Sequence, residues 1–580
     1  MKIPYGESNF KNVIENDYYY IDKSQHIKYL ENCNSNYVFL LRPRRFGKSL
    51  FVSMLEHYYG IEHKDEFQQL FGKLHIGKNP TPLANSFLIL KFEFSGINTT
   101  SDETTSDDFL KKVIIGVTDF FRKYQDLFPN TNTLEILDED SPNRIMINFF
   151  SKVQEVKTKI YILIDEYDHF ANELLAFRFD SFATFVSKNG FVRKFYETIK
   201  TATGDGIVQR IFATGVTPIT LDSLTSGFNI ASNISTDLMV NDSMGFTENE
   251  VIQLLDDAAH SLNINNFDAN EYLMDLQKWY NGYLFHKSGE NKVYNPDMIL
   301  YFTKEFLKNK FKEYPQKILD INIASDYSKL RKLFNIQNRQ QNYAVIDKII
   351  KEGNINVQLT DQYSLERPFT SDDFASLLFY MGYLSIQSAN LSALIMQIPN
   401  FVVKSIFYDY FVELIRKEAA LEAETPDIRD IVTRLAQENN IAPFIELIET
   451  TLHGLSNRDF IKFDEKYIKL LFVAFANVAG FYYVKSEPEI SQKYPDVMFL
   501  YRPPYFPKYQ FVFELKYLKK QDADQVDAKR IEAENQLTQH WQNKELQDFI
   551  TRAEGGMETV KGYAVVFVGE KAEVVKEISF

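Results

Sequence analysis

Cysteine is almost absent: Cys33 is the single one in 580 residues. A disulfide framework within the chain is thereby excluded, and so is a cysteine-based zinc site. A reducing, cytoplasmic setting is the expectation. Tryptophan is scarce too, with 2 copies against 34 Tyr and 50 Phe, which describes a large apolar core and selects no function. No apolar run approaches the roughly 20 residues of a membrane span. The longest, "LFVAFANVAGFYYV" (471–484), reads as a buried helix followed by a strand, so no membrane partner is expected. The N-terminus "MKIPYGESNF" lacks the apolar stretch of a secretory signal. A surplus of positive charge is missing as well. The net charge of −15 argues against a general basic coat for nucleic acid, but it leaves room for a local basic groove, because nearby groups set the field at a site. Low-complexity linkers and internal repeats are also lacking.

What is present fits a soluble globular protein, with 45% hydrophobic and 25% charged residues. The length is too great for one ordinary core and predicts three or four domains. The first 240 residues alternate strand-like and helix-like segments, with strands near 36–41, 87–95, 159–168 and 207–215. Helical spacing marks 49–59, 105–126, 142–155 and 187–202. Such alternation implies an α/β fold with a parallel sheet, whose ligands sit at the carboxyl ends of the strands. From about 245 helices dominate, opened by Thr247 and Glu250 in a capping-box pattern. Residues 320–445 read as helical with a hairpin near 383–398. The chain ends in helix, strands "FYYVKSE", "DVMFLYR" and "YQFVFELKYL", helix 521–540 and strand "GYAVVFVG".

"LRPRRFGKSL" (41–50) resembles a phosphate-binding loop without its first glycine, since Arg42 stands at that position. Gly47 lets the backbone approach closely, Lys48 is placed to reach β and γ phosphates, and Ser49 to ligate Mg²⁺. Phe46 and Leu50 complete the loop segment. Further on, "YILIDEYD" gives four apolar residues and then Asp165-Glu166. A buried strand would deliver Asp165 to the Mg²⁺ shell, and Glu166 would polarise the attacking water. Thr214, at the end of "IVQRIFATG", is placed either to contact the γ-phosphate or simply to form a turn. Arg42, Arg44 and Arg45 set positive charge beside the phosphates, where arginine can hold oxygens bidentately. They could equally salt-bridge to the sheet or to a neighbouring subunit. Asp22 and Lys23 read as anchors of the N-terminal segment.

A second constellation lies in "KYPDVMFLYRPPYFPKYQFVFELKYLKK". Residues two apart on a strand share a face, so Val512, Glu514 and Lys516 point the same way. The "RPPYFPK" turn lets the strand after Asp496 pair with them. Two carboxylates and a lysine then converge, a trio suited to Mg²⁺-dependent phosphodiester hydrolysis. The lysine would orient or deprotonate the water. His57, His63, His169 and His540 lack metal-ligand spacing and read as surface or helix-packing residues. "WYNGY" (279–283) reads as a structural turn after a helix, and Glu487 and Glu489 as strand-end or loop acids.

The order of "YYYIDKSQHIKYL", "RPRRFGKSL", "ILIDEYD", "ATGVTPI", "GFTENEV", "WYNGY", "VYNP", "LLFYMGYLS" and "IPN" resembles that of AAA-ATPase-like proteins fused to a PD-(D/E)XK nuclease-like domain, common in bacteria. In that family the loop reads R-P-R-R-F-G-K-[ST], so Arg42 is the family's own form. The resemblance implies a P-loop ATPase of the ASCE class using ATP and Mg²⁺, with Glu166 as catalytic glutamate. It implies metal-binding roles for Glu465, Asp496 and Glu514 and an accessory role for Gln536. A Gly-Arg pair frequent before the aspartate is replaced here by "QKYPD".

The expected division is an AAA-like P-loop domain (1–244), a helical lid (245–319), a helical middle region (320–445) and an α/β nuclease-like domain (446–580). The expected function is an ATPase coupled to a nuclease acting on nucleic acid, DNA first. The alternative is a nucleotide-controlled regulatory protein whose nuclease-like domain binds without cleaving. Assembly as a homo-oligomer is left open.

Overall fold

In the computed structural model, the described residues are all except 130, 157, 187–189, 219–229, 321–335, 337, 364–367, 456–463, 487–494, 552–558 and 580. The chain packs as two compact units. The first holds Met1–Phe311, Leu319–Val345 and Asn356–Asn400, and the second Lys312–Ile318, Ile346–Ile355 and Phe401–Phe580.

The first unit is built on five strands: β1 (Tyr37–Leu41), β2 (Leu88–Glu93), β3 (Ile160–Asp165), β4 (Val208–Gly215) and the short β5 (Ser232–Asn233). They run in the order β2-β3-β4-β1-β5, every pairing parallel. Strand β3, "IYILID", is buried at all six positions, as a strand covered on both faces of a parallel sheet must be. β4 lies between β1 and β3, so the loop after β1 and the acids after β3 emerge at the same sheet edge, one strand apart. The helix Lys48–Tyr59 follows β1 and packs on β3 and β4. Asp102–Lys123, capped by Ser101 and Thr104, lies against β2. The expected strand 159–168 stops at Asp165. Glu166 takes a left-handed turn (φ 52°), and helices His169–Phe177 and Phe179–Val186 follow, which the sequence pattern did not reveal.

Beyond the sheet come helices Glu248–His260, with the expected Thr247/Glu250 capping box, Asn270–Tyr280 and Pro296–Lys308. The hairpin expected near 383–398 is present as antiparallel strands Ser385–Asn390 and Ala393–Gln397. Scattered motifs meet around the phosphate-type loop. Trp279, Tyr280 and Tyr283 of "WYNGY" are fully buried, which confirms their structural role. Asn400 of "IPN" donates to the carbonyl of Asn281 (2.9 Å). Gly382 of "YMGY" has φ 83°, and a Cβ there would sit 2.7 Å from Cβ of Pro43 in the loop.

The second unit holds a mixed sheet of β6 (Tyr482–Ser486), β7 (Val497–Tyr501), β8 (Gln510–Leu518), β9 (Val560–Val568) and β10 (Lys571–Ile578). The order is β10-β9-β8-β7-β6, with β8 and β9 parallel and the other pairs antiparallel. The helix Val526–Trp541 makes the crossover between β8 and β9 and packs on both. β10 was not expected: its burial alternates weakly and it is mostly exposed, so it leaves little apolar pattern. Helices Phe401–Glu418, Thr425–Glu438, Ala442–Leu455 and Glu465–Ala479 share one core with this sheet, through Tyr408, Ile428, Phe444 and Phe472 against Phe513 and Phe567. Packing divides near residue 400, ahead of the expected boundary at 445/446, because the apolar face of this sheet is covered by helices that precede it in sequence. Glu487 and Glu489 lie outside the described residues. Among the described residues, no helix is long and apolar enough to cross a membrane.

The approach of Gly382 to Pro43 generates a stability test. Gly382→Ala must hold a side chain in the left-handed region and displace the proline, and is expected to lower unfolding free energy by about 1–3 kcal/mol. Gly204→Ala, at a helix end with nothing within 4 Å of the added carbon, is expected to be neutral or slightly stabilising. Denaturant unfolding of both variants reads the difference, and equal effects would refute the packing argument.

Candidate functional site

The loop after β1 is held from outside. Arg42 is 1% exposed. Its Nη1 donates to the carbonyls of Leu41 and Ser235, both at 2.8 Å, and its Nη2 to that of Val240. The guanidinium carbon lies 4.1 Å from the ring centre of Phe285. Arg42 is therefore a brace turned away from the cleft, which corrects its expected part in nucleotide binding. Arg45, in a left-handed conformation (φ 67°), pairs with Asp297 (3.2 Å). The carbonyl of Arg44 accepts from Asn295 of "VYNP" (3.5 Å). Phe46 is buried edge-on to Tyr283 and Phe285.

Gly47 (φ 86°) then starts the helix at Lys48. A Cβ at Gly47 would meet nothing within 4 Å, so the requirement for glycine is conformational. Lys48 is buried and reaches back across the loop, its Nζ 3.0 Å from the carbonyl oxygen of Pro43. Burial lowers its pKa, against the pull of Glu166, Asp165 and Asp168.

These groups border a cleft of about 440 Å³, within the range of small-molecule sites. Its lining includes the polar Lys48, Ser49, Glu166 and His169 and the apolar Ile21, Phe246 and Leu300. Arg44, Arg45, Phe46, Gly47 and Leu50 also border it. Asp165 stands behind Ser49, to which it is hydrogen bonded; burial first, then the charges of Glu166 and Glu93, raise its pKa against that bond and Lys48. Its Oδ1 is buried with no hydrogen-bond partner among the described residues. A hydroxyl and a carboxylate oxygen lacking a donor fit a hard cation such as Mg²⁺.

Thr214 does not join this group. It is fully buried within β4, not in a turn, and its hydroxyl donates to the carbonyl of Leu40 (2.7 Å). Two neighbours were missed. Asp168 is buried and accepts from the N–H of Val216 (3.0 Å) and of Thr217 (2.6 Å), fixing the exit of β4. His169, taken for a surface or packing residue, borders the cleft, with Nδ1 buried and unpartnered among the described residues. The second aspartate in "DEYD", Asp168, was the one available signal. Asp22 accepts from Ser24 and His75 N–H groups, and Lys23 pairs with Glu250 (2.7 Å), the anchoring roles expected of them.

In the second unit, Val497 pairs with Phe513 across β7 and β8, which sets Asp496 opposite Glu514. Asp496 is buried; its Oδ2 accepts the N–H of Leu515 (2.7 Å), and its Oδ1 lies 2.6 Å from Nζ of Lys469. Lys516 Nζ is 3.0 Å from Glu514 Oε1. The structure thus brings Asp496, Glu514 and Lys516 together. Glu514 Oε2 is buried without a hydrogen-bond partner among the described residues, and His540 Nε2 lies 4.0 Å away. His540 was read as a surface or packing residue. Gln536, one turn before it on the same helix face, also has a buried and unpartnered Oε1.

Burial, then repulsion from Asp496, pushes the Glu514 carboxyl up to about 8, against the pull of Lys516 and Lys469. Burial lowers the Lys516 pKa, but Glu514, Asp496 and Glu465 outweigh it, and the net shift is upward. Lys469 links Glu465 to Asp496, its Nζ lying 3.2 Å from Glu465 Oε1 and 2.6 Å from Asp496 Oδ1. Among the described residues no trio of Asp, Glu, His or Cys side chains forms a ready metal cage, and the Glu465 carboxylate expected in the site faces the ammonium of Lys469. The carboxylate donors and the bare Glu514 oxygen do suit a hard cation.

Comparison with known proteins finds a family match in each half of the chain. Residues 4–225 match the family model described as Predicted AAA-ATPase, and residues 463–577 that of the PD-(D/E)XK nuclease superfamily. The chain carries a predicted AAA-ATPase domain at its N-terminus and a PD-(D/E)XK nuclease superfamily domain toward its C-terminus. An uncharacterized protein in the vnfD 5′ region of Azotobacter chroococcum mcd 1 is 29% identical over 320 residues, 52% of this chain and 52% of that protein. The chain thus spans about half the length of that curated relative. Among solved structures, the Walker-type ATPase paby2304 of Pyrococcus abyssi matches at 13% identity and TM-score 0.38, over 66% of this chain and 94% of that one. The Aeropyrum pernix ORC1 protein in complex with DNA matches at 7% identity and TM-score 0.25, over 71% and 96%. These structural likenesses are too slight to transfer any property.

The Glu514 shift has a measurable sign. Its folded value, about 8, exceeds its ordinary 4.5. In metal-free protein the stability it contributes is fully present below about pH 4.5 and is lost as pH rises toward about 8, because only the unfolded chain gives up the proton in that window. Melting in EDTA should therefore show Glu514→Gln gaining on the parent between pH 5 and pH 8. A difference that does not change with pH would refute the assignment.

Proposed function

We propose that the protein binds and hydrolyses ATP in the N-terminal cleft and that its C-terminal site cleaves phosphodiester bonds of nucleic acid, DNA first, with a divalent cation. One observation carries the reading: each unit buries a carboxylate oxygen without a hydrogen-bond partner among the described residues, Asp165 Oδ1 and Glu514 Oε2, beside a lysine suited to phosphate chemistry. A bare buried carboxylate oxygen is costly, and a cation would satisfy both.

In the cleft, the residues divide the work. Lys48 exchanges its bond to the Pro43 carbonyl for phosphate oxygens, and the N–H groups from Gly47 onward face the same anion. Ser49 and Asp165 would hold Mg²⁺. Glu166, held at the cleft edge by its left-handed backbone, orients the attacking water and takes its proton. Strain of that kind at a strand end is characteristic of functional residues. The apolar Ile21, Phe246 and Leu300 would receive the base.

At the second site Asp496 and Glu514 would hold the cation, with Glu465 close by. When bound, the cation supplies Lewis-acid charge to the phosphoryl oxygens and lowers the pKa of its water. Lys516, kept charged by Glu514, Asp496 and Glu465, serves as a fixed positive group that orients water and stabilises the developing negative charge. Its upward shift speaks against a role as general base. The second reading, binding without cleavage, is favoured by one specific observation: Lys469 stands between Glu465 and Asp496.

The two sites are tested separately. Calorimetry should show Lys48→Ala binding Mg·ATP at least about a hundredfold more weakly than the parent; unchanged affinity would sink the cleft assignment. Incubation with plasmid, single-stranded DNA and RNA in Mg²⁺ or Mn²⁺ should show cleavage by the parent and a loss of about a thousandfold in Asp496→Ala and in Lys516→Ala. Undiminished cleavage in these variants would place the chemistry elsewhere. ATP binding with no cleavage of any substrate by the parent would decide for the second reading.

A further inference from the structure

Lys469 is one helical turn after Glu465 on the helix Glu465–Ala479, so both side chains project from the same face. Its ammonium lies 2.6 Å from Asp496 Oδ1 and 3.2 Å from Glu465 Oε1. The side chain is 12% exposed, so this is not a solvent-screened surface pair. Asp496 is committed on both oxygens: Oδ1 to Lys469 and Oδ2 to the N–H of Leu515. On the other side of the site, Lys516 occupies Glu514 Oε1, while Oε2 is buried and has no hydrogen-bond partner among the described residues. The ammonium of Lys469 thus fills the position between two acids where a divalent cation would be held.

From this arrangement we infer that Lys469 is an internal counter-cation that competes with the divalent metal for Asp496 and Glu465. The inference rests on the metal-site reading above and concerns how that site is loaded. Without metal, Lys469 neutralises two buried or half-buried carboxylates that would otherwise repel each other. A cation can take Asp496 Oδ1 only when Lys469 releases it, so metal loading is an exchange of one positive group for another. The metal gains less from the acids than it would in a vacant site, because part of their attraction is already satisfied by the lysine. The nuclease-type centre is therefore closed by its own side chain at low metal concentration and opens as the metal concentration rises. Lys469 is a positioning residue in this account, not a catalytic one.

The test is Mn²⁺ binding to the full chain in the absence of nucleotide, followed by the electron paramagnetic resonance signal of free Mn²⁺. Lys469→Met should bind Mn²⁺ about tenfold or more tightly than the parent, and Lys469→Gln, which keeps a polar end should the methionine variant fail to fold, should move the same way. Asp496→Asn should lose that binding. In EDTA, Lys469→Met should melt below the parent, since two acids lose their counter-charge, and saturating Mn²⁺ should close the gap. A purely structural lysine would also lower the melting temperature but would leave Mn²⁺ affinity unchanged. Equal or weaker Mn²⁺ binding by both lysine variants, with Asp496→Asn still abolishing it, overturns the competition and leaves the metal site standing. No Mn²⁺ binding by parent or lysine variants overturns the metal site and the inference together.

Discussion

A guanidinium buried in protein is destabilising unless its N–H groups find oxygens, and the phosphate-type loop of this chain is arranged around one. Arg42 takes the position at which such loops usually carry glycine. Its side chain turns back along β1 and ties the carbonyls of Leu41, Ser235 and Val240 together. Its Nε is left without a hydrogen-bond partner among the described residues, and the face of Phe285 at 4.1 Å offsets part of that cost. The surrounding motifs follow from this. Phe285 comes from the segment after "WYNGY". Pro43, next to Arg42, is touched by Gly382. Asn295 and Asp297 of the "VYNP" helix hold Arg44 and Arg45. A loop deprived of one glycine is shaped by its neighbours instead of by its own flexibility, and those neighbours are the scattered motifs of the sequence.

The two sites solve one problem in different ways. Each must keep carboxylates buried and ready for a cation. In the cleft, Asp165 shares its environment with Ser49 and with the charge of Lys48, and Lys48 is parked on the Pro43 carbonyl. At the sheet of the second unit, two lysines are bonded directly to the acids. The acids of the second site are thus charge-balanced internally, while Asp165 in the cleft keeps one buried oxygen without a hydrogen-bond partner among the described residues.

How much of this was legible depended on whether the signal was local. Gly47, Lys48 and Ser49 follow a strand and open a helix, and the apolar run before Asp165 could only be a buried strand. Glu514 and Lys516 share a face by the period of a strand, and the turn from Arg502 dictated their pairing with Asp496. These were readable because spacing along one element fixed them. The direction of Arg42 was not, since the carbonyls of Ser235 and Val240 lie nearly two hundred residues away. The Thr214 hydroxyl went to Leu40 because a parallel neighbour offered a carbonyl, which no local pattern announces. His540 looked idle because it meets Glu514 through tertiary packing alone, and His169, three residues after Glu166, because the helix it opens left no sequence pattern. Lys469 had a weak local signal, four residues after Glu465, but charged pairs at that spacing usually face solvent. The boundary near residue 400 escaped because covering helices carry the same apolar stripe whichever sheet they cover.

The negative charge of the chain can now be placed against a nucleic-acid role. Several basic residues around the second sheet are paired with acids: Lys520 with Glu570, Lys529 with Glu532, Arg530 and Lys576 with Glu534, and Lys561 with Glu577. Paired charges of this kind release few counterions when a polyanion approaches. The cluster "KYLKK", which looked like a basic patch in sequence, is divided among different tasks, with Lys516 buried in the site and Lys520 paired. Under the proposed nuclease reading, Lys516, Lys469 once displaced, and the cation displacing it would add positive charge at the site itself. Recognition and chemistry would thus depend on the same few charges, and a site kept closed by its own lysine would also be a site kept from binding.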